Sequence, residues 1–277
     1  PAMTDSGAGL GALILSLKKE KKINFDSFKK SKFEMPYWGP YYNNDEIKET
    51  LKKFKDKIEI EDVTNFLWHE DFAKLITEGK IGGLFQGRME FGPRALGSRS
   101  IIADPRNINM QRQLNLKIKF RESFRPFAPA ILEKYVNSWF EFDYKSPYML
   151  FVANVKSDKL NKKKYNNNKL SSINNLRSKI PSTTHVDNSA RIQTVNKKYN
   201  STFFELIDEF HKLTQTPILI NTSFNIRGEP IVCRPIDAFK CFMGTDLDFL
   251  VIENFVLEKN RQNKKLLKDY KKEFNLD

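Results

Sequence analysis

Short apolar runs alternate along the chain with segments in which apolar residues recur every three or four positions. The apolar runs predict buried strands at 81–85, 100–103, 127–132, 148–155, 217–220 and 249–257. The helical spacing predicts helices at 45–57, 61–79, 107–118, 202–213 and 236–243. Strands and helices in this succession are typical of an α/β fold, in which helices cover a mixed sheet.

The same pattern predicts four parts. Residues 1–18 contain a glycine-bearing loop that enters an apolar helix, and residues 19–79 form a linker and a helical segment. The α/β domain spans residues 80–257, and residues 258–277 form a basic tail. Inside the domain, residues 156–180 are rich in Lys and Asn and are expected to form a long excursion.

The composition indicates a globular protein with a sizeable core. The chain has 277 residues, is 40% hydrophobic and contains 23 phenylalanines. No apolar run approaches the ~18 residues that span a bilayer and no signal peptide is visible, so we expect a cytoplasmic protein without a membrane partner. Two cysteines, Cys233 and Cys241, are too few for a disulfide framework and lack companions for a metal site.

The net charge of +13 raises the question of a nucleic-acid partner. Residues 156–180 hold eight basic residues and one acid, and residues 258–277 hold seven basic and four acidic residues. Both stretches lack the alternation of aromatic and basic residues that is suited to stacking on bases. They are more simply explained as solvated segments, and we do not expect nucleic acid as a partner.

Candidate chemistry begins in the turn between the first two predicted strands, residues 87–99, which holds three arginines and three glycines. Glycine permits a tight, irregular backbone, and the planar fork of arginine binds phosphate or carboxylate oxygens two at a time. The candidate anion ligands are Arg88, Arg94 and Arg99. The alternative is a surface turn whose arginines pair with acids such as Glu90 and Asp104.

A second basic segment follows the helix predicted at 107–118 and places four cations within residues 117–125. Lys119 and Arg125 are the candidate ligands here. Arg125 precedes a proline, which favours extended backbone and would fix this arginine at the entrance of a strand. The alternative is a basic helix end, which the helix dipole favours without any ligand.

A third segment, residues 185–193, mixes His185, Asp187, Ser189 and Arg191. A Ser/His/Asp hydrolase would combine these residue types, but no Gly-x-Ser-x-Gly elbow accompanies them. A zinc site is not favoured, because the other histidines are remote in sequence. A polar surface loop and an anion site that uses Arg191 are the remaining interpretations, and the second is the most economical of the functional ones.

A fourth segment, residues 221–225, directly follows the strand predicted at 217–220. Ligands of open α/β sheets bind at the carboxyl ends of strands, so Asn221, Ser223 and Asn225 are candidate nucleotide ligands. The alternative is a turn that these short polar side chains stabilise. Together, the four segments predict a site for a polyanion, such as a nucleotide with a second phosphate compound.

These motifs, at 87–106, 115–129, 185–195 and 219–232, resemble the C-terminal domain of the O-carbamoyltransferases of nodulation-factor, aminoglycoside and cephamycin carbamoylation. The resemblance spans roughly residues 80–257. It implies an α/β fold, a YrdC-like twisted mixed sheet with flanking helices, preceded by a short remnant of a sugar-kinase/Hsp70-like domain.

The resemblance also implies a reaction and its ligands. The C-terminal domain condenses carbamoyl phosphate with ATP, accompanied by Mg²⁺, into carbamoyl-adenylate, and the N-terminal domain passes the carbamoyl group to a hydroxyl of a sugar or secondary metabolite. The implied catalytic residues, which hold carbamoyl phosphate and the ATP phosphates, are Arg94, Lys119 and Arg125. The implied ligands of the adenylate are Arg191, Asn221 and Ser223. The candidates from the residues alone, Arg88, Arg99 and Asn225, complete the predicted substrate and nucleotide ligands.

The resemblance further implies an iron site in the N-terminal domain, with Asp5 as its aspartate ligand. Because the histidine ligands are absent, we expect this chain to be a fragment or one partner of a split enzyme, with a separate N-terminal-domain protein as the other. The alternatives are a YrdC-like RNA-binding module, synthesis of threonylcarbamoyl-adenylate, and a domain that is catalytically silent on its own.

Overall fold

The computed structural model describes residues 5–22, 24, 36–54, 58–63, 68–161, 176–263, 266 and 270–274. Within these ranges one mixed sheet of nine strands forms the centre of the fold. The strands are β1 (Glu61–Asp62), β2 (Gly82–Phe85), β3 (Arg99–Ala103), β4 (Ala128–Leu132), β5 (Phe151–Asn154), β6 (Ser189–Val195), β7 (Ile218–Ser223), β8 (Phe249–Ile252) and β9 (Phe255–Glu258). Their order is β1-β9-β8-β2-β3-β7-β4-β6-β5. The pairs β2/β8 and β4/β6 are parallel, and the other pairs are antiparallel.

Seven α-helices accompany the sheet in the described part of the chain. They are α1 (Asp5–Lys19), α2 (Asn44–Lys52), α3 (Trp68–Thr77), α4 (Met110–Gln113), α5 (Val136–Trp139), α6 (Ser201–Thr214) and α7 (Pro235–Gly244). A five-residue π-helix, Leu114–Ile118, continues α4. No helix among the described residues is long and apolar enough to cross a membrane.

Each face of the sheet is covered by its own group of helices. Successive side chains of a strand point to opposite faces, so Leu84 of β2 packs with α3 and α6, whereas its neighbour Phe85 packs with α2 and α7. A third apolar cluster, around Trp139 and Phe140, closes the end of the sheet near β5 and β6. Because both faces are buried, strands such as β2 and β8 are apolar throughout.

The predicted fold class, a mixed sheet with flanking helices, is confirmed, while several predicted elements are corrected. The single strand predicted at 249–257 is the antiparallel pair β8 and β9, joined by a turn in which Glu253 has a φ of +48°. Where a helix was predicted at 61–79, the described residues form the short edge strand β1 at Glu61–Asp62 and helix α3 at Trp68–Thr77. The glycines that were expected in an N-terminal loop, from Gly7 onward, lie within α1.

Some predictions lie partly outside the described residues. They involve residues 1–4 of the first part, 23 and 25–35 of the linker, 55–57 and 64–67 of the two helices predicted before residue 80, 162–175 of the Lys/Asn-rich excursion, and 264–265, 267–269 and 275–277 of the tail. The four-part division of the chain stays a prediction.

Candidate functional site

A cavity of about 380 Å³, the first cavity, lies at the carboxyl end of β7, beside the amino-terminal ends of β4 and β6. Its polar wall consists of Arg94, Arg121, Arg125, His185, Arg191, Asn221, Thr222 and Ser223. None of the described residues that line it is acidic. A concave site that presents four guanidinium groups without a carboxylate is suited to an anionic ligand.

A second cavity, of about 430 Å³, adjoins the first and shares Arg121, Arg125 and Ser223 with it. It adds the side chains of Lys119, Glu122, Asn225, Arg227 and Glu229. The three shared residues therefore stand at the junction of two neighbouring compartments, each rich in cations.

The loop that carries Arg94 is organised by a buried carboxylate. Oε1 of Glu90 accepts hydrogen bonds from the backbone N–H groups of Leu96 (2.7 Å), Ser98 (2.7 Å) and Arg99 (3.3 Å). Gly97 has a φ of +112°, which a side chain would strain. Glu90, which the sequence suggested as a partner of these arginines, therefore accepts hydrogen bonds from the backbone instead. Arg94 lines the first cavity.

The loop that carries Arg121 and Arg125 is held by Asn115, which is fully buried in the π-helix. Nδ2 of Asn115 donates to the carbonyls of Ser123 (3.1 Å) and Arg125 (2.8 Å). Its Oδ1 accepts from Nε of Arg121 at 2.7 Å, which leaves the outer nitrogens of that guanidinium for the cavities. Asn115 and Arg121 were not among the predicted site residues. For Asn115, the presence of an amide within an apolar helical run could have indicated a buried structural role.

Lys119 forms the floor of the second cavity and is almost completely buried. Its Nζ donates to Oγ of Ser223 (3.2 Å), to the carbonyl of Asn225 (2.8 Å) and to Oδ1 of Asn225 (2.8 Å). It also donates to the carbonyl of Ser223. Burial first, and the nearby charge of Arg121 second, lower the pKa of Lys119 to about 7. The lysine therefore fixes the turn after β7 and titrates near neutral pH.

Arg191 and Asn221 bring the third and fourth predicted segments together. Burial, followed by the charge of Arg94, lowers the pKa of Arg191 to about 10, and its buried Nε has no partner among the described residues. Nδ2 of Asn221 donates to the carbonyl of Ala95 (3.1 Å) and to Oε1 of Gln193 (2.6 Å). A buried N–H without a partner is the kind of group that an anionic ligand satisfies.

His185 also lines the first cavity, with an order of contacts that differs from a hydrolase triad. Its Nδ1 lies 2.9 Å from Oγ of Ser189, and that hydroxyl donates to Oδ1 of Asp187 at 2.7 Å. The serine therefore stands between the acid and the histidine, whereas a triad places the histidine between the acid and the serine. This arrangement does not fit a Ser/His/Asp triad in which Ser189 is the nucleophile.

Two predicted ligands lie outside both cavities. Arg99 is fully buried, and its Nη1 donates to the carbonyls of Gln86 (2.9 Å) and Ser98 (3.0 Å). Its Nη2 donates to the carbonyls of Pro40 (3.3 Å) and Gly87 (3.2 Å). Arg88 is exposed, and its guanidinium donates to the carbonyl of Gly39 at 3.2 Å.

The residues of the described chain offer few groups that could bind a metal ion. Asp5 is the first residue of α1, and its side chain lies outside the described part of the chain. Among the described residues, no group of three His, Cys, Asp or Glu could hold a metal ion, so these residues do not fit an iron site. In the second cavity, Glu229 accepts hydrogen bonds from the hydroxyl of Tyr270 and from the N–H of Ile226, and is thus already engaged.

The fold and the two cavities define an α/β domain with a cation-lined site for anionic ligands. The family model described as carbamoyltransferase C-terminus matches residues 73–259. The chain belongs to the carbamoyltransferase family, and the resemblance stated from the four motifs is confirmed.

Relatives of known sequence extend this result. An uncharacterized protein of Synechocystis sp., sll1178, is 45% identical over 289 residues, which cover 100% of this chain and 46% of the relative. The nodulation protein NolNO of Sinorhizobium fredii is 37% identical over 263 residues, which cover 94% of this chain and 35% of the relative. This chain thus spans less than half of the length of these relatives.

Among solved structures, full-length HypF in its phosphate- and nucleotide-bound form is similar over 74% of this chain and 23% of its own, at 15% identity and a TM-score of 0.41. A similarity of this size is too low to support an argument about the site.

Proposed function

We propose that this chain forms carbamoyl-adenylate from carbamoyl phosphate and ATP, for transfer of the carbamoyl group to a hydroxyl of a sugar or secondary metabolite. Family membership supports the carbamoyl chemistry. The observation that carries the proposal is the pair of adjoining cation-rich cavities that share Arg121, Arg125 and Ser223. Two anionic substrates that react with each other need two such compartments with a common wall.

The chemistry asks the protein mainly for positioning and for positive charge. A carbamate oxygen attacks the α-phosphorus of ATP, the bond from that phosphorus to the bridging oxygen breaks, and pyrophosphate leaves. Holding both anions at one junction replaces an encounter in solution, in which they would repel each other. Preorganised donors at the α-phosphate then stabilise the charge of the transition state, at about 2.7–4 kcal/mol for each donor.

The geometry suggests a role for each group of residues. Arg94, Arg191 and Asn221 belong to the first cavity, whereas Lys119 and Asn225 belong to the second. Arg125 and Ser223 stand at the junction, together with Arg121, where the reacting atoms of the two substrates would meet. Arg88 and Arg99 have no part in this assignment.

The described residues fit phosphate better than they fit a metal, so Mg²⁺ would be held largely by the phosphates of ATP. Among the described residues that line the second cavity, only Glu122 offers a carboxylate besides Glu229, and it lies 3.5 Å from the guanidinium of Arg125. Mg²⁺ usually binds through one or two carboxylates plus substrate phosphates, and it would neutralise part of their charge. The proposed partners are the hydroxyl acceptor and a separate N-terminal-domain protein that carries out the transfer step.

Pyrophosphate release from ATP by the purified chain, with and without carbamoyl phosphate, tests the proposal. We expect release that depends on carbamoyl phosphate. Arg94→Ala and Arg125→Ala should each lower kcat by about 10²–10³-fold, because each removes a preorganised donor. Arg112→Ala, which changes an exposed arginine outside both cavities, is the matched control.

Circular dichroism and thermal unfolding establish that each variant is folded. Release that is unaffected by carbamoyl phosphate would refute the proposed reaction. Full activity of both Arg94→Ala and Arg125→Ala would instead refute the assignment of residues while leaving the reaction in place.

A further inference from the structure

A tight turn of five residues places a histidine and a serine side by side at the first cavity. The turn is closed by the N–H of His185, which donates to the carbonyl of Ser189 at 2.7 Å, and by the N–H of Asn188, which donates to the carbonyl of His185 at 3.0 Å. Asn188 has a φ of +68°, a conformation that asparagine tolerates. The N–H of Val155 holds the turn from the β5 side by donating to the carbonyl of Asn188 at 2.9 Å.

The hydrogen-bond partners of this turn determine which nitrogen of His185 carries the proton. Asp187 is ionised at neutral pH and can only accept hydrogen bonds, because the hydroxyl and the N–H of Ser189 lower the pKa of its carboxyl. The hydroxyl of Ser189 therefore donates to Asp187 and must accept from its other neighbour, Nδ1 of His185. Neutral His185 consequently carries its proton on Nδ1 and a lone pair on Nε2.

The other ring nitrogen of His185, Nε2, is available to a ligand in the first cavity. His185 is half-buried and lines the first cavity, and no hydrogen bond to its Nε2 occurs among the described residues. Ser189, by contrast, is buried and engaged on both sides. The turn thus presents one base to a compartment whose other charged groups are arginines.

We propose that His185 is the general base of the first cavity and that it activates the water that releases carbamate from carbamoyl phosphate. Ser189 and Asp187 act as positioning residues, because they hold the histidine in the tautomer that leaves Nε2 free. This step rests on the proposed function, since carbamoyl-adenylate requires carbamate that has been separated from its phosphate.

The step balances in atoms and charge. Nε2 of His185 takes a proton from water while the water oxygen forms a bond to the phosphorus of carbamoyl phosphate. The bond from phosphorus to the bridging oxygen breaks, and carbamate leaves with the electron pair. Inorganic phosphate is the other product, and the histidine then returns its proton to solvent. The four arginines of the first cavity would hold the phosphate oxygens during this transfer.

The charged groups around His185 support a base that is free at neutral pH. Burial lowers the pKa of His185, the charge of Asp187 raises it, and the charge of Arg191 lowers it. Arg94, Arg121 and Arg125 face the same cavity from the neighbouring loops. A bound phosphate compound brings negative charge and raises the pKa of His185, which favours the proton transfer that the step requires.

The tautomer can be measured directly, because the chain has only three histidines. A long-range ¹H–¹⁵N spectrum of the labelled protein, assigned with His185→Gln, should show neutral His185 protonated on Nδ1. Ser189→Ala should increase the population protonated on Nε2, whereas Ser138→Ala, at an exposed serine that donates to the carbonyl of Tyr135, should not. A wild-type His185 protonated on Nε2 would overturn the proposal.

Titration with inorganic phosphate tests whether Nε2 faces the anion site. We expect the Nε2 resonance of His185 to move saturably and the pKa of His185 to rise. Saturable phosphate binding by calorimetry, without any change at His185, would contradict its place in the cavity.

Phosphate release from carbamoyl phosphate, corrected for spontaneous decomposition, tests the catalytic step. His185→Gln should lower kcat by about 10²–10⁴-fold with little change in KM. The wild-type rate should fall as pH decreases through the pKa of His185, and the residual rate of the variant should lack this limb. An unchanged kcat would overturn the role of His185. Absence of phosphate release from the wild type would instead refute the proposed function, whatever the tautomer.

Discussion

Replacement of Arg99 by methionine gives a direct measure of how much the buried arginine stabilises the turn at 87–99. Arg99 is fully buried, its guanidinium donates to four backbone carbonyls, and it lies 3.5 Å from the centre of the Phe85 ring. Methionine fills a similar length but removes the charge and every donor. The substitution therefore removes the electrostatic role of the residue while it keeps most of the packing.

The size of the effect depends on how many of the four carbonyls keep another hydrogen-bond donor after the substitution. The carbonyls of Ser98 and Pro40 also accept backbone N–H groups, each at 2.9 Å, whereas those of Gln86 and Gly87 accept no other bond among the described residues. Each buried polar group without a partner costs about 1–3 kcal/mol. The loss of the cation above Phe85 adds about 2 kcal/mol, and burial of the methionine offsets a similar amount.

Two carboxylates add to the cost of the substitution. Glu90 is buried, and burial raises the pKa of Glu253, which the charge of Arg99 counteracts. Removing the cation takes away a positive charge that interacts with Glu90 and that counteracts the burial of Glu253. Breaking a buried charge network of this kind typically costs about 3–5 kcal/mol, and we expect a loss in this range for Arg99→Met.

Urea unfolding followed by tryptophan fluorescence measures the free energy of unfolding. Arg88→Met changes an exposed arginine of the same turn and should alter stability by less than about 0.5 kcal/mol. Arg99→Lys keeps the charge without the fork and should fall between the wild type and Arg99→Met. A loss below about 1 kcal/mol for Arg99→Met would refute the reasoning, because it would mean that the carbonyls find other donors.

Three further predictions concern the floor of the site, its loop and its surroundings. Because the pKa of Lys119 is lowered to about 7, its side chain is fully protonated only below that pH. Pyrophosphate affinity measured by calorimetry should therefore fall above pH 7, by up to about tenfold per pH unit. Lys119→Met should remove this dependence, and equal affinity at pH 6 and pH 8 in the wild type would contradict the assignment. Gly97→Ala should lower stability in thermal unfolding by about 1–3 kcal/mol, since its Cβ would lie 2.4 Å from the Phe203 ring at a φ of +112°; an unchanged melting temperature would be the contrary result. Tyr270→Phe should cost about 1–3 kcal/mol in urea unfolding, because buried Glu229 loses a donor, and a variant as stable as the wild type would show that this hydrogen bond contributes nothing.

The apolar pattern predicted most strands and helices because burial on both faces makes strands such as β2 and β8 apolar throughout. It failed at β6, where Gln193 and Thr194 are buried and hydrogen-bonded to other segments. Nε2 of Gln193 donates to the carbonyl of Leu96, which is 97 residues away in the sequence. A buried polar strand that is hydrogen-bonded to distant loops has the same sequence pattern as an exposed polar loop, so the pattern cannot distinguish the two.

The site was predictable to the extent that glycine-rich and arginine-rich turns follow strands. Sequence placed Arg94, Arg125 and Arg191 near one another, and the structure brings these three to one cavity. It could not separate them from Arg99, because the acceptors of Arg99 are backbone carbonyls, which have no sequence signature. His185 was ambiguous for a related reason, since its role depends on which neighbour donates to Ser189.

If the first cavity binds the proposed anions, its four arginines also make the stability of the protein depend on the concentration of those anions. Like charges at close range oppose the compact state, and the charge of Arg94 adds to the effect of burial in lowering the pKa of Arg191. An anion that binds only the folded chain adds about 2.7 kcal/mol of stability at a concentration one hundred times its Kd. Truncating one of these arginines should then raise the melting temperature measured without ligand while lowering the proposed activity by about 10²–10³-fold. Selection for a higher melting temperature would therefore favour variants of low activity, unless phosphate compounds were present during the selection.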